Sequence, residues 1–495
     1  MLLGRRSKIE KIKCEHKRSL MTQVCLALSA AAGGGLSKKK ENCMRITIVH
    51  PAIGHRKGEQ YVRTWQMEPL PAAAIAGLTP ADIDICFYDD RMELIPYDQP
   101  TDAVVLSVET YTAKRAYQIA TEYRLRNVPV IMGGFHATLM PEEVERYAEA
   151  VVVGEAETIW PEVVDDLRFN RPKKRYASNL RPDLKQTQID RTIFRGKRYL
   201  RINLIETGRG CRFPCEFCAI QTFFDRTHRS RPVDQILQEI QSLKNNAKLF
   251  FFVDDNFAGN IEAAIPLLRE LARLNIRWVT QMSINAAHDP EFLSLLSKSG
   301  CKGVLIGFES LNQENLRAMK KNFNTMKGGF QVATENLRRH NLRVYATFVF
   351  GYEHDTEQSF TESVDFAIEQ DFYIAAFNHL TPFPGTPLYK RLEAEGRLCY
   401  DAWWLDSRYR YNDVPFRTNG LQPEDISRLC LESRKRFYST ASILKRGFSK
   451  VNRSDGFMFY NYFPINYMHS GDIGKRSGYP LGDESWAGSI LEAAR

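Results

Sequence analysis

Short apolar runs alternate with amphipathic stretches along most of the chain. From residue 44 to about 165, β-rich runs at 45–50, 84–88, 103–108, 128–132 and 150–153 alternate with helical segments at 70–78, 113–126 and 141–148. This alternation predicts a doubly wound, mostly parallel α/β sheet of the Rossmann type, as the first domain (44–165). Such sheets bind ligands at the carboxyl ends of their strands.

A second alternating series follows a polar, basic stretch at 166–200, which we interpret as a linker. Its strands are predicted at 202–206, 249–253, 278–283, 303–308, 344–350 and 373–380, with helices such as 232–245 and 261–274 between them. Six β/α units predict a partial (β/α)6 barrel at 201–396, with its chemistry at the carboxyl ends of the strands. The alternation then stops, and residues 397–495 predict a small, mostly helical region with a helix at 423–445.

The net charge of +9 is unevenly distributed over the 495 residues. Residues 1–43 hold ten Lys or Arg and three Glu, a net of +7, so the other 452 residues contribute only +2. The basic extension resembles a signal peptide formally, but we expect it to be unstructured. A nearly neutral body argues against nucleic acid as a partner. No run reaches the roughly 20 apolar residues of a membrane-spanning helix, so no transmembrane segment is expected.

Three of the ten cysteines lie within eight residues, and the other seven are scattered singly. Cys211, Cys215 and Cys218 have the spacing C-x3-C-x2-C, directly after the first predicted barrel strand. Three thiolates on one loop can hold three corners of a cubane iron–sulfur cluster, which leaves the fourth iron open for a catalytic ligand. Gly208 and Gly210 allow the loop to bend tightly. Such a cluster favours a reducing cytoplasm.

Two other interpretations of the cysteines are possible. A structural zinc site could use His228 as a fourth ligand, or the thiols could be unligated core residues. Zinc sites usually pair their ligands in two separated knuckles, and this segment has no second knuckle.

The segment from Gly208 to Cys218, with Phe217 in the aromatic position before the last cysteine, resembles the radical S-adenosylmethionine (radical SAM) superfamily. The resemblance implies a [4Fe–4S] cluster whose open iron is chelated by S-adenosylmethionine. One electron, from a donor such as flavodoxin or ferredoxin, then yields a 5′-deoxyadenosyl radical that abstracts hydrogen from a small-molecule substrate. By the same resemblance, the contacts to S-adenosylmethionine come from strand ends and the cysteine loop: Phe217, Asp254, Asp255, Gln281, Ser283, Glu309 and Gly351.

The first domain resembles the cobalamin-binding domain that precedes the barrel in one radical SAM subgroup. The segments that carry this resemblance follow its second to fifth strands, and their candidate cobalamin residues are Asp90, Arg91, Ser107, Thr110, Gly133, Gly134, His136, Gly154 and Glu155. The D-x-H-x-x-G motif of other cobalamin proteins is absent. Cobalamin could therefore bind without a protein histidine, or the domain could have lost the cofactor. A hydrogen-bonded loop histidine is the favoured interpretation of His136.

If both cofactors are present, the resemblance implies methylation of an unactivated carbon in a lipid-like or tetrapyrrole-like substrate, as in hopanoid and tetrapyrrole methylases. The alternative enzyme is a radical SAM cyclase or rearrangement enzyme without methyl transfer. A cobalamin or redox sensor is the alternative that is not an enzyme. A methylthiotransferase would need a second cluster in the first domain, and residues 44–165 contain only Cys86.

Overall fold

The computed structural model describes residues 44–178, 180–325 and 328–492, so the expectation for the basic extension at 1–43 lies outside the described residues. The first domain is built on a parallel sheet of six strands in the order β2-β1-β3-β4-β5-β6. These strands are β1 Arg45–His50, β2 Asp84–Asp89, β3 Ala103–Ser107, β4 Val130–Gly133, β5 Ala150–Val153 and β6 Arg175–Ala177.

Both faces of this sheet are covered by helices, which explains why the strands β3, β4 and β5 are almost continuously apolar. In β3, Val104 and Leu106 point into one core, while Ala103 and Val105 point into the other. This is the alternation expected of a strand that is buried on both sides. The larger helices of the domain are Leu70–Leu78, Ala113–Arg124, Phe135–Leu139, Pro141–Val144 and Trp160–Arg168.

The stretch at 166–200 is more than the linker that its composition predicts. The helix Trp160–Arg168 runs into it, and β6 pairs in parallel with β5 as the edge strand of the sheet. Only Tyr176 is buried in this three-residue strand, and basic residues flank it. A short, charged edge strand has too few apolar positions to give a periodic signal.

The second sheet contains six parallel strands that pair in chain order, with the first and last at its two edges. They are β7 Asn203–Ile205, β8 Phe250–Phe252, β9 Trp278–Gln281, β10 Cys301–Glu309, β11 Arg343–Phe350 and β12 Ile374–His379. The outer helices are Val233–Leu243, Ile261–Leu274, Pro290–Lys298, Gln313–Ala318, Gly329–Arg339, Glu357–Glu369 and Pro387–Ala394. The predicted fold class, a doubly wound domain followed by a partial barrel, is confirmed.

The helix expected at 423–445 is two helices, Pro423–Phe437 and Thr440–Gly447. Ser439 interrupts them because its side chain accepts from the backbone N–H of Ser442 and so caps the second helix. The helices Lys450–Arg453 and Gly456–Arg476 follow. Within the described part of the chain, no helix is both long and apolar enough to cross a membrane.

The C-terminal region returns to the first domain. Asp472 accepts a hydrogen bond of 2.7 Å from the Thr64 hydroxyl. Gly482–Asp483 forms a short parallel pair with Gly54–His55, and Gln118 accepts from the N–H of Asp483 at 2.8 Å. The C-terminal strands therefore fasten onto the loops and helices around the first sheet.

Candidate active site

The three cysteines lie on the loop that follows β7 at the carboxyl end of the barrel. The loop begins in a hairpin in which Gly208–Gly210 pairs with His228–Ser230. Gly210 has a φ of +89°, and a Cβ there would lie 2.1 Å from the carbonyl oxygen of Thr227. Only glycine fits without a backbone shift, so Gly210 determines how the chain turns toward Cys211.

Hydrogen-bond donors face two of the three sulfurs. The side-chain amide of Asn256 lies 3.7 Å from Cys211 Sγ as a donor. Two backbone N–H groups at the start of the helix Ala219–Phe223 donate to Cys218. Donors aimed at a sulfur stabilise its thiolate form, which is the form that binds metal.

The three thiols interact electrostatically. Burial raises the pKa of Cys215 to about 12; the charge of Lys321 opposes this, and the charges of Cys218, Glu309 and Cys211 add to it. Burial also raises the pKa of Cys218. Three buried neighbouring thiols are costly to ionise alone, and a bound cationic centre removes that cost. The loop therefore fits a group that accepts three thiolates at once.

A single zinc ion fits this site less well. His228 belongs to the hairpin strand, its ring packs against Gly259, and it hydrogen-bonds to the backbone of Asn256. No group of three or more His, Cys, Asp or Glu side chains among residues 44–178, 180–325 and 328–492 is arranged to hold one metal ion. In a cubane cluster each thiolate binds a different iron atom, so the three sulfurs can lie farther apart than around a single metal ion.

A buried ion pair lies beside the cysteines. Lys321 Nζ donates to a carboxylate oxygen of Glu309 and, at 3.1 Å, to the carbonyl oxygen of Gly307. Glu309 has a φ of +62°, at an irregularity in the pairing of β10 with β11. Glu309 was a candidate from the sequence, whereas Lys321 was missed because a lone lysine in a loop gives no periodic signal.

Two adjacent aspartates after β8 have different surroundings. Asp254 is fully buried and accepts from the N–H groups of Thr207 and Gly208 at 2.6 and 3.2 Å, so it holds the start of the cysteine loop. Burial raises its pKa to about 7. Asp255 accepts from the N–H of Gly210 at 2.7 Å, and burial raises its pKa to about 6.

The other candidate contacts to S-adenosylmethionine lie around the same mouth. Gln281 donates to the backbone oxygen of Asp255 at 2.9 Å, and Ser283 accepts from Asn256 at 3.1 Å. Asn256 therefore links the third strand end to Cys211. These contacts bring the sequence-predicted residues of β8 and β9 together at the cysteine loop.

Phe217 and Gly351, the remaining two candidates, each make contacts within the barrel that do not depend on a ligand. Phe217 is half-buried and packs against the barrel core. Gly351 has a φ of +118°, its N–H donates to Asp355 at 2.8 Å, and a Cβ would lie 3.0 Å from the Phe416 ring. Glycine is therefore required at Gly351 by backbone conformation, whichever ligand binds nearby.

A cavity of about 340 Å³ lies between the carboxyl ends of the first sheet and the cysteine loop. Five of the nine candidate cobalamin residues line it: Ser107, Gly133, Gly134, Gly154 and Glu155. The barrel contributes the opposite wall, which includes Glu206, Gly208, Arg209, Phe223, Phe224 and Asp255. One cavity is thus bounded by the ligand-binding edges of both domains.

Ion pairs join the two walls. Arg209 Nη1 lies 3.0 Å from Glu155 and 2.6 Å from Glu157, and Arg229 Nη2 lies 2.7 Å from Glu155. These glutamate side chains are almost fully buried. Buried carboxylates with paired charges hold a fixed geometry, so Glu155 fastens the domains together at the cavity.

Glu109 also lines the cavity, although it was not a sequence candidate. Its side chain is accessible from the cavity, and burial between the domains raises its pKa to about 7. The signal was available, since Glu109 lies within the segment after the third strand from which Ser107 and Thr110 were chosen.

Two other candidate cobalamin residues, Asp90 and Arg91, form hydrogen bonds inside the first domain and do not line the cavity. Asp90 accepts from Arg115 Nε and Nη2 at 2.9 and 2.8 Å, and it also accepts from the N–H of Ala52 at 3.1 Å. Arg91 donates to Asp89 at 2.7 Å. Each residue is thus an internal cross-link after the second strand, and these contacts favour a structural role over the cofactor contact expected from the sequence.

Thr110 and His136 likewise lie away from the cavity. His136 is fully buried, with Nδ1 at 3.2 Å from the Thr110 hydroxyl and Nε2 at 3.0 Å from Glu143. Trp404 donates to the same Glu143 carboxylate at 3.0 Å. These contacts favour a structural role for both residues, and the interpretation of His136 as a hydrogen-bonded histidine agrees with them.

A partial (β/α)6 barrel with a three-cysteine loop at its mouth, joined to a doubly wound domain, is the architecture of a radical SAM enzyme. Residues 205–367 match the family model of the Radical SAM superfamily. The chain is 31% identical over 389 residues to the bacteriochlorophyllide d C-12(1)-methyltransferase of Chlorobaculum tepidum, covering 76% of this chain and 84% of that protein. The chain belongs to the radical SAM superfamily.

Two further proteins are similar to it. The bacteriochlorophyllide d C-8(2)-methyltransferase of Chlorobaculum tepidum is 29% identical over 397 residues, covering 76% of this chain and 87% of that protein. The radical S-adenosylmethionine methyltransferase TsrM of Kitasatospora setae, solved with cobalamin and a [4Fe–4S] cluster, has a TM-score of 0.56 at 19% identity. That alignment covers 71% of this chain and 78% of TsrM, and at this identity it supports the shared fold.

Proposed function

We propose that the protein is a cobalamin-dependent radical SAM methyltransferase that methylates an unactivated carbon of a tetrapyrrole-like substrate. The observation that supports this most is the single cavity bounded by both the cysteine loop and the carboxyl ends of the first sheet. Two relatives that are 31% and 29% identical are named as methyltransferases of a bacteriochlorophyllide. The proposal extends that chemistry to this chain.

The cysteine loop would hold the cluster through Cys211, Cys215 and Cys218, with Asn256 donating toward Cys211. The adjacent ion pair of Lys321 and Glu309 presents one cation and one anion, which suits the carboxylate and ammonium groups of the methionine part of S-adenosylmethionine. When bound, the cluster and S-adenosylmethionine supply a 5′-deoxyadenosyl radical, and cobalamin supplies a methyl carrier.

The first-domain wall would hold cobalamin mainly by close approach to the backbone. Gly134 has a φ of +100°, and a Cβ there would lie 2.9 Å from the N atom of Val108. Gly154 has a φ of +92° and open space where a Cβ would stand. Ser107 also lines the cavity, and its hydroxyl oxygen would lie 3.1 Å from a Cβ at Gly134. Small residues and one hydroxyl on this wall would leave room for a large cofactor.

The reaction needs one-electron reduction of the cluster, so we infer a partner such as flavodoxin or ferredoxin. Thiolate ligands also have to remain reduced and unoxidised before the cluster is assembled. For that reason we propose a cytoplasmic location.

The products of S-adenosylmethionine test the function. Protein reconstituted anaerobically with iron, sulfide and cobalamin should convert S-adenosylmethionine, with a reductant and a bacteriochlorophyllide, to S-adenosylhomocysteine and 5′-deoxyadenosine together. Formation of 5′-deoxyadenosine without S-adenosylhomocysteine would contradict methyl transfer and favour the cyclase alternative. Optical spectra of the same preparation should contain both cobalamin and iron–sulfur absorbance.

A further inference from the structure

Four aromatic side chains line an internal space, which we call the aromatic chamber: Trp65, Tyr111, Tyr345 and Tyr411. The ring of Tyr411 lies 5.1 Å from Trp65 and 5.1 Å from Tyr111. Burial raises the pKa of Tyr345, on β11, and the neighbouring Tyr411 adds to this. All four side chains are nevertheless partly accessible, so they face open space within the protein.

The chamber lies where the carboxyl ends of the two sheets meet. Tyr111 follows β3 of the first sheet, and its hydroxyl is 3.2 Å from that of Thr381, which follows β12 of the barrel. Asn378, on β12, is exposed although its neighbours Phe377 and His379 are buried, so its side chain faces the open interior of the barrel. A ligand in the chamber would be within the region of both cofactors.

Two arginines reach the chamber without a carboxylate partner. Arg476 lies over the Trp65 ring, with its guanidinium carbon 5.6 Å from the ring centre, and it donates to the Thr64 hydroxyl. Arg434 donates from Nε to the backbone oxygen of Phe377 at 2.8 Å and from Nη2 to the side-chain oxygens of Asn378 and Asn412 at 3.2 and 3.3 Å. In the described part of the chain, neither guanidinium forms a salt bridge. Both are close enough to Tyr345 to oppose the effect of burial on its pKa.

Donors in the chamber remain unused. The Nε of Arg476 and the Nδ2 of Asn412 are buried and have no hydrogen-bond partner among the described residues. Arg446 differs from Arg476 in this respect, because its guanidinium donates to the backbone oxygens of Phe372 and Phe437, both at 2.8 Å. Arg476 Nε therefore lacks an acceptor, and neither chamber arginine has a carboxylate partner within the described residues, which a ligand could supply.

We propose that the aromatic chamber binds the substrate through a carboxylate held by Arg434 and Arg476, with its planar apolar body against Trp65, Tyr411 and Tyr111. A guanidinium matches a carboxylate in shape and charge, and aromatic faces stack on planar rings. The inference rests on the proposed function and deepens it, since it assigns the substrate class as carboxylate-bearing planar molecules and names the residues that select them.

Binding of protoporphyrin IX and of its dimethyl ester to the reconstituted holoenzyme, followed by fluorescence titration, tests the proposal. The two probes share a planar body, and esterification removes both negative charges. We expect the diacid to bind at least about tenfold more tightly, because esterification removes the charge-assisted hydrogen bonds to the two arginines. Equal affinities, or no binding of the diacid, would overturn the proposal.

Substitutions of Arg434 and Arg476 test whether these residues produce the preference for the diacid. Arg434→Gln and Arg476→Gln should each weaken binding of the diacid about tenfold and leave binding of the diester nearly unchanged, whereas Arg→Lys at either position should retain part of the preference. The exposed neighbour variant Lys435→Gln is the matched control and should keep the full preference. Weakening of both probes to the same extent by the two Arg→Gln variants would indicate a structural role and overturn the assignment.

The proposed function fails by a different signal. Cleavage of S-adenosylmethionine by wild-type holoenzyme, with dithionite and without any porphyrin, reports on the cysteine loop and not on carboxylate recognition. Its absence would contradict the radical SAM mechanism, while normal cleavage with no preference for the diacid would contradict only the chamber.

Discussion

The cysteine loop of the barrel and the ligand loops of the first domain differ in how closely their sequence candidates match the structure. Cys211, Cys215 and Cys218 lie together at the barrel mouth, with Asp255 and Asn256 around them. In the first domain, five of nine candidates line the cavity and four belong to internal networks. The cysteine spacing is dictated by chemistry, whereas the first-domain residues were implied by a resemblance whose segments share only their position after a strand.

The difference shows that a strand end is a necessary but insufficient sign of a ligand site. Asp90 directly follows one strand of the parallel sheet and Ser107 ends another, yet Asp90 is hydrogen-bonded to Arg115 and Ser107 lines the cavity. A charged residue at a strand end has strong reasons to pair within the protein. Glycine and serine have no charge that needs a partner within the protein, so they leave room for a ligand.

The largest effect is expected from removing the three cysteines of the loop. Replacement of Cys211, Cys215 and Cys218 by Ala should abolish iron binding, the brown absorbance and S-adenosylmethionine cleavage, because cluster ligation requires the thiolates. Iron content, optical spectra and 5′-deoxyadenosine formation measure this. Cys86 is half-buried and lies in the first domain, so Cys86→Ala is the control. It should retain iron binding, the brown absorbance and S-adenosylmethionine cleavage. A triple variant that still cleaves S-adenosylmethionine would remove the basis of the comparison.

The next effect tests whether Asp90 is internal. Asp90→Ala should lower the free energy of unfolding by about 3–5 kcal/mol, because it leaves the buried Arg115 guanidinium without its partner. Urea unfolding of the apoprotein measures this. The exposed Asp98→Ala, which removes a surface pair with Arg126, should change stability by less than about 1 kcal/mol. If Asp90→Ala retained wild-type stability but lost cobalamin, Asp90 would return to the list of cofactor residues.

The fold was largely predictable from the sequence, because most strands are long enough for their apolar runs to stand out. The partial barrel and five strands of the first sheet have their predicted places. The edge strand Arg175–Ala177 was missed because only Tyr176 is buried in it. Arg434 was missed for another reason: its partner Asn378 lies 56 positions away, and one sequence contains no record of which residues meet.

A smaller effect concerns the start of the cysteine loop and depends on pH. Burial raises the pKa of Asp254 from 3.8 to about 7, so between these values the folded state binds more protons than the unfolded state. Stability should therefore fall as pH rises from about 4 to 7, by at most about 4 kcal/mol. Asp254→Asn should lack this contribution. Urea unfolding of both proteins at pH 5 and pH 8 measures the difference, and parallel behaviour of the two would contradict the shifted pKa.

The smallest expected effect lies on the cavity wall. Ser107→Ala should weaken cobalamin binding about fivefold, because one hydrogen bond contributes roughly 1 kcal/mol, while the free energy of unfolding stays within about 0.5 kcal/mol of wild type. Equilibrium binding of hydroxocobalamin measures the affinity. The exposed Ser242→Ala serves as the control. If Ser107→Ala lost stability without a change in cobalamin affinity, Ser107 would be a structural residue like Asp90. The two residues would then no longer differ in role.

The strands that fasten the C-terminal region to the first domain have a consequence for how the protein is made. Ser477 accepts a hydrogen bond from Arg56, and these residues are 421 positions apart in the chain. At 5 to 20 residues per second, a ribosome needs roughly 20 to 80 seconds to synthesise the segment between them. The nascent first domain therefore waits, with its Gly54–His55 edge uncovered, until translation reaches Gly482–Asp483. We expect holdase chaperones to bind this edge during that interval.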